Sequence, residues 1–392
     1  MTDVAERLEE LRDRGLYRQL RLVNGPQGPR VMLDGRSVLL LCSNNYLGLA
    51  DHPQVREAAA EAALHWGAGA GASRLISGNM EPHRRLEARL AEFKGYEAAL
   101  LFGSGYLANT GTIAALAGAG EVVFSDELNH ASIVDGCRLS RAETFVYRHG
   151  DLEHLAWGLE QAGGRGSLVV TDGVFSMDGD IAPLPQLLEL AHRHGCRLMV
   201  DEAHATGAVG PGGRGSVAAA GLSGEVDLVV GTLGKALGSY GAYACAGAET
   251  IDFLVNIARP FVFSTAPPPP SVAAATAALE LVSAERVGRL QANATAFRAA
   301  LAAEGLDAGR SRTQIVPIEV GDAEPTMELC ERLLAGGVFA QGIRPPTVPE
   351  GSSRLRFTVM ASHEAGELES AAKLVGAAAR ELGLLAPQAV AA

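Results

Sequence analysis

Lys235 and Asp201 lie at positions of this sequence where a lysine and an aspartate could be catalytic residues. Lys235 follows the apolar run VDLVV (226–230) after a short Gly-rich stretch, and Asp201 comes directly after RLMV (197–200). Burial lowers the pKa of a lysine amine, which can then act as a nucleophile and a base. A carboxylate at the end of a buried strand is costly unless a cation faces it. Taken singly, a lysine that reaches solvent and an aspartate that caps a helix fit these positions equally well.

A glycine-rich turn supplies a third feature. Gly103-Ser-Gly105-Tyr106-Leu-Ala108 follows the run AALLF (98–102) and opens a helical stretch. This arrangement matches the G-x-G-x-x-G/A pattern, in which backbone amides at a helix N-terminus bind a phosphate. Asp126 ends the next apolar run, as the dinucleotide form of the pattern requires. The turn therefore predicts a phosphate site without identifying the ligand that carries the phosphate.

The three features together favour pyridoxal phosphate (PLP) as the cofactor. PLP needs a Schiff-base lysine, an acid facing the protonated pyridine nitrogen and a phosphate site, whereas a nicotinamide dinucleotide needs only the last. An NAD-dependent oxidoreductase is the alternative from a different class. His130 follows EVVF (121–124) and could lie against the cofactor ring, while Ser176 follows SLVVT (167–171) and could reach the ring oxygen. The positions of His130 and Ser176 fit equally well a histidine in a helix and a serine in a turn that have no functional role.

These residues must be positioned by a sheet. Seven short apolar runs alternate with helical stretches: AALLF (98–102), EVVF (121–124), ETFVY (143–147), SLVVT (167–171), RLMV (197–200), VDLVV (226–230) and AYACA (242–246). Their continuous hydrophobicity indicates strands buried on both faces. The spacing leaves room for crossover helices, which predicts a mostly parallel seven-stranded sheet of the α/β class. Ligands bind such sheets beyond the carboxyl ends of the strands.

The chain divides into a large and a small domain in this interpretation. The proline run APPPP (266–270) breaks the pattern and precedes an Ala-rich helix over about residues 271–304, and IVPIEV (315–320) and RLRFTV (354–359) predict two further strands. We expect four parts: an N-terminal segment packing on both domains (1–50), a large PLP-binding domain (51–270), a small C-terminal α+β domain (271–385) and a loose tail (386–392).

Composition excludes several classes of function. The net charge of −12 argues against a nucleic-acid partner, because a phosphate backbone needs a basic face. Five scattered cysteines without a C-x-x-C pair predict neither disulfides nor a metal site. No apolar run is long enough to cross a bilayer, and the charged N-terminus is unlike a signal peptide. We expect a cytoplasmic protein without a membrane partner.

Several motifs resemble those of the α-oxoamine synthases, PLP enzymes of fold type I. They are SNNYLGL (43–49), HASIVDG (130–136), TDGVFSMDGD (171–180), VDEAHATGAVGPGGRG (200–215), TLGKALG (232–238) and IRPPTVPEGSSRLRF (343–357). The resemblance implies a homodimeric enzyme that condenses an amino acid with an acyl thioester and releases CO₂. IRPPTVP most resembles the members that use L-alanine and a pimeloyl thioester, carried by CoA or by a carrier protein, in biotin synthesis. The glycine-using members are the alternative.

The resemblance also implies a role for each matching residue. Lys235 would form the Schiff base, Asp201 would pair with the pyridinium nitrogen and His130 would stack on the ring; these three are the expected catalytic residues. The other cofactor contacts are expected from Gly105, Tyr106, Ser176, His204 and Thr232. Contacts to the substrates are expected from His130, from Asn44 and Arg356 on the amino-acid carboxylate, and from Arg18 and Thr347 on the acyl-thioester side.

Overall fold

A computed structural model describes residues 3–385 and divides them between two compact units. The large unit holds residues 45–176 and 180–288, and the small unit holds 177–179 with the described parts of 1–44 and 289–392. The boundary expected near residue 50 falls at 44, and residues 271–288 group with the large unit rather than the small one. The expected tail, 386–392, lies outside the described residues.

The small unit begins with α1 (Val4–Asp13), β1 (Val23–Asn24), β2 (Arg30–Leu33) and β3 (Arg36–Leu40). The large unit follows with α2 (Pro53–Trp66), α3 (Glu81–Lys94), β4 (Ala98–Phe102), α4 (Gly105–Leu116), β5 (Val122–Asp126), α5 (Ala131–Ser140), β6 (Glu143–Tyr147), α6 (Leu152–Gln161), β7 (Gly166–Asp172), α7 (Leu184–Arg193), β8 (Arg197–Asp201), α8 (Ser216–Ala219), β9 (Leu228–Thr232), β10 (Ala242–Ala246), α9 (Ala248–Ile257), α10 (Arg259–Val262) and α11 (Pro269–Glu280).

The large unit is built on one seven-stranded sheet in the order β4-β10-β9-β8-β7-β5-β6. β10 runs antiparallel to both of its neighbours, and the other pairs are parallel. Each of the seven apolar runs forms a strand at or within two residues of its predicted position. The prediction of a mostly parallel seven-stranded sheet is therefore confirmed.

Apolar layers cover both faces of this sheet, as the continuous hydrophobicity of the strands predicts. On β8, Met199 belongs to the cluster that includes Ile113 of α4, whereas Leu198 and Val200 belong to the cluster that includes Leu187 of α7. Side chains alternate across a strand, so a strand covered by helices on both sides needs apolar residues at consecutive positions. The polar residues then collect where the strands end.

The Ala-rich segment forms two helices rather than the single one predicted over 271–304. α11 ends at Glu280, and α12 (Ala284–Ala303) begins after three intervening residues. The Ser283 hydroxyl accepts a hydrogen bond from the Arg286 amide at 3.2 Å, which is the geometry of a helix N-cap. The prediction was wrong because alanine-rich composition concealed this cap.

The remainder of the small unit contains β11 (Ile315–Gly321), α13 (Ala323–Ala335), β12 (Val338–Phe339), β13 (Gln341–Ile343), β14 (Ser353–Thr358) and α14 (Ala365–Glu381). It has a four-stranded sheet, β1-β2-β3-β12, and a three-stranded sheet, β11-β14-β13. The rings of Phe297 and Phe357 pack edge to face in its core, with centroids 5.4 Å apart. In the described part of the chain, the helices are too short or too polar to traverse a bilayer.

Candidate active site

Lys235 lies in the turn after β9 and contacts a buried histidine. Its Nζ is 2.8 Å from Nε2 of His204, and Nδ1 of His204 is 2.6 Å from the hydroxyl of Tyr46. Tyr46 and His204 are both buried. Lys235 is half-buried, and its amine contacts His204 at the sheet edge.

Asp201 ends β8 and is almost completely buried. Its Oδ1 accepts a hydrogen bond from the Ala203 amide at 2.8 Å, and its Oδ2 accepts one from Nδ2 of Asn109 at 2.6 Å. A carboxylate offers about four lone-pair sites. Asp201 therefore makes the local backbone contact expected of a cap and keeps acceptor capacity for a cation.

His130 stands at the N-cap of α5 and joins the same hydrogen-bond network. Its Nδ1 is 2.7 Å from the Ser132 hydroxyl, which accepts a hydrogen bond from Nδ2 of Asn109 at 2.8 Å. Burial lowers the pKa of His130, the Asp201 charge opposes this effect, and the Lys235 charge lowers the pKa further. His130 thus lies within electrostatic reach of both key residues, and its neutral form is favoured.

The predicted phosphate turn opens α4. Ser104 caps the helix by accepting a hydrogen bond from the Leu107 amide at 3.2 Å. The first amides of a helix, here those of Gly105 and Tyr106, have no partner within the helix. A Cβ built on Gly105 meets no atom within 4 Å, so open space adjoins these amides. This geometry suits an anion.

Thr232 and Ser176 lie at two other strand ends. Thr232 closes β9, donates a hydrogen bond to the Gly241 carbonyl at 3.1 Å and accepts one from the Gly234 amide at 3.2 Å. Ser176 is buried in the loop after β7. Both positions are at the carboxyl edge of the sheet, as the sequence predicts.

The other predicted substrate residues lie in the small unit. Arg356 is buried on β14, where it pairs in register with Pro317 and Gln341. The Arg356 charge acts on the pKa of Cys42, two residues before Asn44. This places Arg356 near the segment that carries Asn44.

Arg18 and Thr347 line one pocket of the small unit, with a volume of about 550 Å³. Arg344 adds positive charge to its wall, Arg21 is paired there with Glu331, and Met327 and Leu334 add apolar surface. Residues that are distant in sequence are therefore brought together in a pocket that is both basic and apolar.

Three partners of the site were missed from the sequence: Asn109, Asp172 and Tyr46. Asp172 directly follows the β7 run just as Asp201 follows β8, and its Oδ2 accepts a hydrogen bond from the His130 amide at 3.1 Å. That repeated position was a usable signal. Tyr46 stands inside the motif SNNYLGL but was not singled out. Asn109 gave no signal, because one asparagine in a helix is unremarkable.

These residues fit PLP. The lysine amine, the acceptor capacity of Asp201 and the open amides of α4 match the aldehyde, the pyridinium nitrogen and the phosphate of that cofactor. A dinucleotide would leave the half-buried Lys235 and the buried Asp201 without a function. The sheet and the site together define a PLP enzyme of fold type I, and the NAD-dependent alternative falls away.

Comparisons with known proteins agree. The family model described as aminotransferase class I and II matches residues 36–375, and the chain belongs to that family. It is 55% identical to the 8-amino-7-oxononanoate synthases of Citrifermentans bemidjiense, over 98% of this chain and 100% of that protein, and of Geobacter sulfurreducens, over 97% and 99%. A variant of serine palmitoyltransferase from S. paucimobilis, solved with a bound PLP–myriocin aldimine, superposes with a TM-score of 0.92 at 34% identity, covering 97% of this chain and 98% of that one.

Proposed function

We propose that this chain is an 8-amino-7-oxononanoate synthase, a PLP-dependent acyltransferase of biotin synthesis. It condenses L-alanine with a pimeloyl thioester and releases the carrier thiol and CO₂. The observation that carries the proposal is the placement of the Lys235 amine 2.8 Å from His204, at the same sheet edge as the buried Asp201. Full-length identity of 55% to synthases of this name supports the substrate assignment.

Asp201 and Asn109 would keep the pyridine nitrogen of the cofactor protonated. When bound through Lys235, PLP supplies an electron sink for the negative charge that develops at the α-carbon of the amino acid. The Asp201 carboxylate holds a proton at the pyridine nitrogen with its remaining acceptor capacity. Asn109 fixes the carboxylate orientation through the 2.6 Å hydrogen bond to Oδ2. His130, in its neutral form, would contact the cofactor ring without adding positive charge.

Lys235 is the base in this proposal. Its Nζ, once released, accepts the proton from the α-carbon of alanine and later returns a proton to the product. His204 stands 2.8 Å from that nitrogen and is held by Tyr46, so it orients the amine between these steps. Ser176, Thr232 and the amides of α4 are the proposed contacts to the ring oxygen and phosphate.

The small unit supplies the proposed substrate contacts. Arg356, with Asn44, binds the alanine carboxylate, for which the planar guanidinium is well suited. Arg18 and Thr347 bind the acyl thioester, delivered by CoA or by a carrier protein. The pocket that these two residues line combines positive charge with apolar surface, as an acyl chain attached to a phosphorylated carrier requires.

We also propose that the enzyme acts as a cytoplasmic homodimer. The Ala266 amide donates a hydrogen bond to the Ala72 carbonyl at 3.0 Å, which brings the segments 72–76 and 263–266 together. These segments carry Ile76 and Phe263, whose side chains are largely exposed. Contiguous exposed apolar surface is typical of a protein interface. Sedimentation analysis of the purified protein tests this assembly.

Borohydride reduction tests the cofactor assignment. We expect reduction of the PLP-loaded enzyme to leave a pyridoxyl adduct on the tryptic peptide that contains Lys235. Lys235→Ala should lose the visible absorbance and the turnover, whereas Lys373→Ala should retain both, since Lys373 is an exposed lysine of α14. An unmodified Lys235 peptide, or normal turnover by Lys235→Ala, would refute the proposal.

A substrate panel tests the reaction. Alanine and glycine are each offered with pimeloyl and short acyl thioesters, and the products are identified by mass spectrometry. We expect 8-amino-7-oxononanoate from alanine and the pimeloyl donor. Preferential turnover of glycine with a short donor would assign the chain to the glycine-using members instead.

A further inference from the structure

A histidine outside the proposed set of cofactor contacts joins two segments of the large unit. His149 follows β6; its Nδ1 lies 3.0 Å from Oδ1 of Asp126, and its Nε2 lies 2.8 Å from Oδ2 of Asp180. The side-chain exposures are 16% for His149, 2% for Asp126 and 15% for Asp180. Both ring nitrogens donate only in the imidazolium form, so this geometry calls for a protonated ring. We name Asp126, His149 and Asp180 the charged clamp.

The first carboxylate of the charged clamp fixes the turn after β5. Asp126 also accepts hydrogen bonds from the amides of Leu128 at 2.9 Å and Gly150 at 3.0 Å. The His149 amide in turn donates to Oε1 of Glu127 at 2.8 Å. The turn that leads from β5 to His130 is therefore tied to the loop that carries the imidazolium.

The second carboxylate fixes the loop after β7. The Asp180 carbonyl accepts a hydrogen bond from the Phe175 amide at 3.0 Å, which closes this loop on itself. The Phe175 ring packs edge-on against the His149 imidazole, with centroids 4.3 Å apart and planes at 83°. Ser176, the proposed contact to the cofactor ring oxygen, is the next residue after Phe175.

The charged clamp lies just beyond the point where β5 and β7 stop pairing. β5 and β7 pair from Val122 to Ser125, with a register shift between Val122 and Val123, and the paired ladder ends at Ser125. Beyond this point the two segments carry His130 and Ser176. A doubly paired imidazolium is suited to hold such segments, because charge-assisted hydrogen bonds are shorter and stronger than neutral ones.

We propose that His149 is a positioning residue, which uses its two aspartate partners to hold Ser176 and the His130 turn at the cofactor. This inference rests on the proposed function. Burial opposes protonation of His149, but the hydrogen bonds and charges of Asp126 and Asp180 raise its pKa to about 10. The ring therefore stays charged over the range in which the enzyme would be assayed.

His149→Asn in the PLP-loaded enzyme tests the inference, with Asp180→Asn as a second variant in case the first does not fold. His192→Asn is the matched control, because His192 forms a 2.9 Å pair with Asp227 in the same unit but at the opposite, amino-terminal end of β9. The readouts are the dissociation constant of PLP, the pH titration of its visible absorbance, and kcat and KM for alanine.

We expect both clamp variants to bind PLP about tenfold more weakly, as the loss of a charged hydrogen bond implies, and to shift the pH titration of the absorbance. The control should match the wild type in each measurement. A folded clamp variant with wild-type PLP affinity and titration would overturn the positioning role. The adduct on Lys235 would still form in that case, because it tests the cofactor assignment and does not depend on the role of His149. Failure of this inference is therefore distinguishable from failure of the proposed function.

Discussion

Lys94 and Glu202 form an ion pair enclosed in the large unit. The side-chain exposures are 1% and 0%, and Nζ of Lys94 also contacts the Arg214 carbonyl. Glu202 Oε1 accepts hydrogen bonds from the Ser216 hydroxyl at 2.8 Å and the Val217 amide at 2.7 Å. A Cβ on Gly215 would lie 2.3 Å from Glu202 Oε2, so the backbone closes directly over the carboxylate. Water cannot readily replace either partner here.

Glu202→Gln keeps the shape of this side chain and removes one charge. Removing one partner of a buried pair costs about 3–5 kcal/mol, because the other charge stays buried without compensation. For a unit of this size, each kcal/mol lowers the unfolding midpoint by about 2–4 °C, so we expect a fall of about 10 °C. Lys94→Met combined with Glu202→Gln removes both charges and should recover most of that loss.

Thermal and urea unfolding of the PLP-free protein measure the effect without interference from the cofactor. Glu369→Gln is the control, since Glu369 forms an exposed pair with Lys373 within α14 and should leave the midpoint unchanged. If Glu202→Gln unfolds at the same temperature as the control, the reasoning about the enclosed charge is refuted. A double variant less stable than the single one would refute it as well.

Two further predictions concern the site and its pH dependence. Asp201→Asn should still bind PLP at Lys235 but lose turnover by about a hundredfold or more, because the pyridine nitrogen is no longer kept protonated. Unchanged steady-state turnover would leave Asp201 only its structural hydrogen bonds with the Ala203 amide and Asn109. His149 has a folded-state pKa of about 10, above its ordinary 6.5. Its stabilisation is complete below about pH 6.5 and lost as pH rises towards 10. Urea unfolding across this range should show a decline that His149→Asn reduces, and parallel profiles would contradict it.

Much of the large unit could be predicted because most of its strands are short apolar runs. β4, β6 and β10 have the predicted bounds, although β10 pairs antiparallel with β4 and β9 and only one residue of the edge strand β6 is buried. The order of the strands and the antiparallel direction of β10 were not predicted, because periodicity does not specify which strands pair. The break before α12 was missed for a different reason: one serine ends the alanine-rich pattern, and composition outweighs a single cap.

Apart from the family resemblance, the candidate site could be predicted where a residue lies at or shortly after the end of a strand. Asp201, Lys235 and Ser176 were identified by that position. Asn109 contacts a carboxylate 92 residues away, and Tyr46 contacts a histidine 158 residues away. Such pairs depend on strand order and on how helices cross the sheet. A sequence without that information cannot distinguish them from ordinary polar residues.

Three carboxylates end neighbouring strands of the sheet, and the structure compensates them differently. Asp126 on β5 is paired with the His149 imidazolium. Asp172 on β7 is fully buried, and burial together with the Asp201 charge raises its pKa well above the ordinary value, which favours its neutral form. Asp201 on β8 accepts hydrogen bonds from Asn109 and the Ala203 amide. Because the other two are already compensated, Asp201 is the carboxylate whose negative charge is available to a cofactor cation.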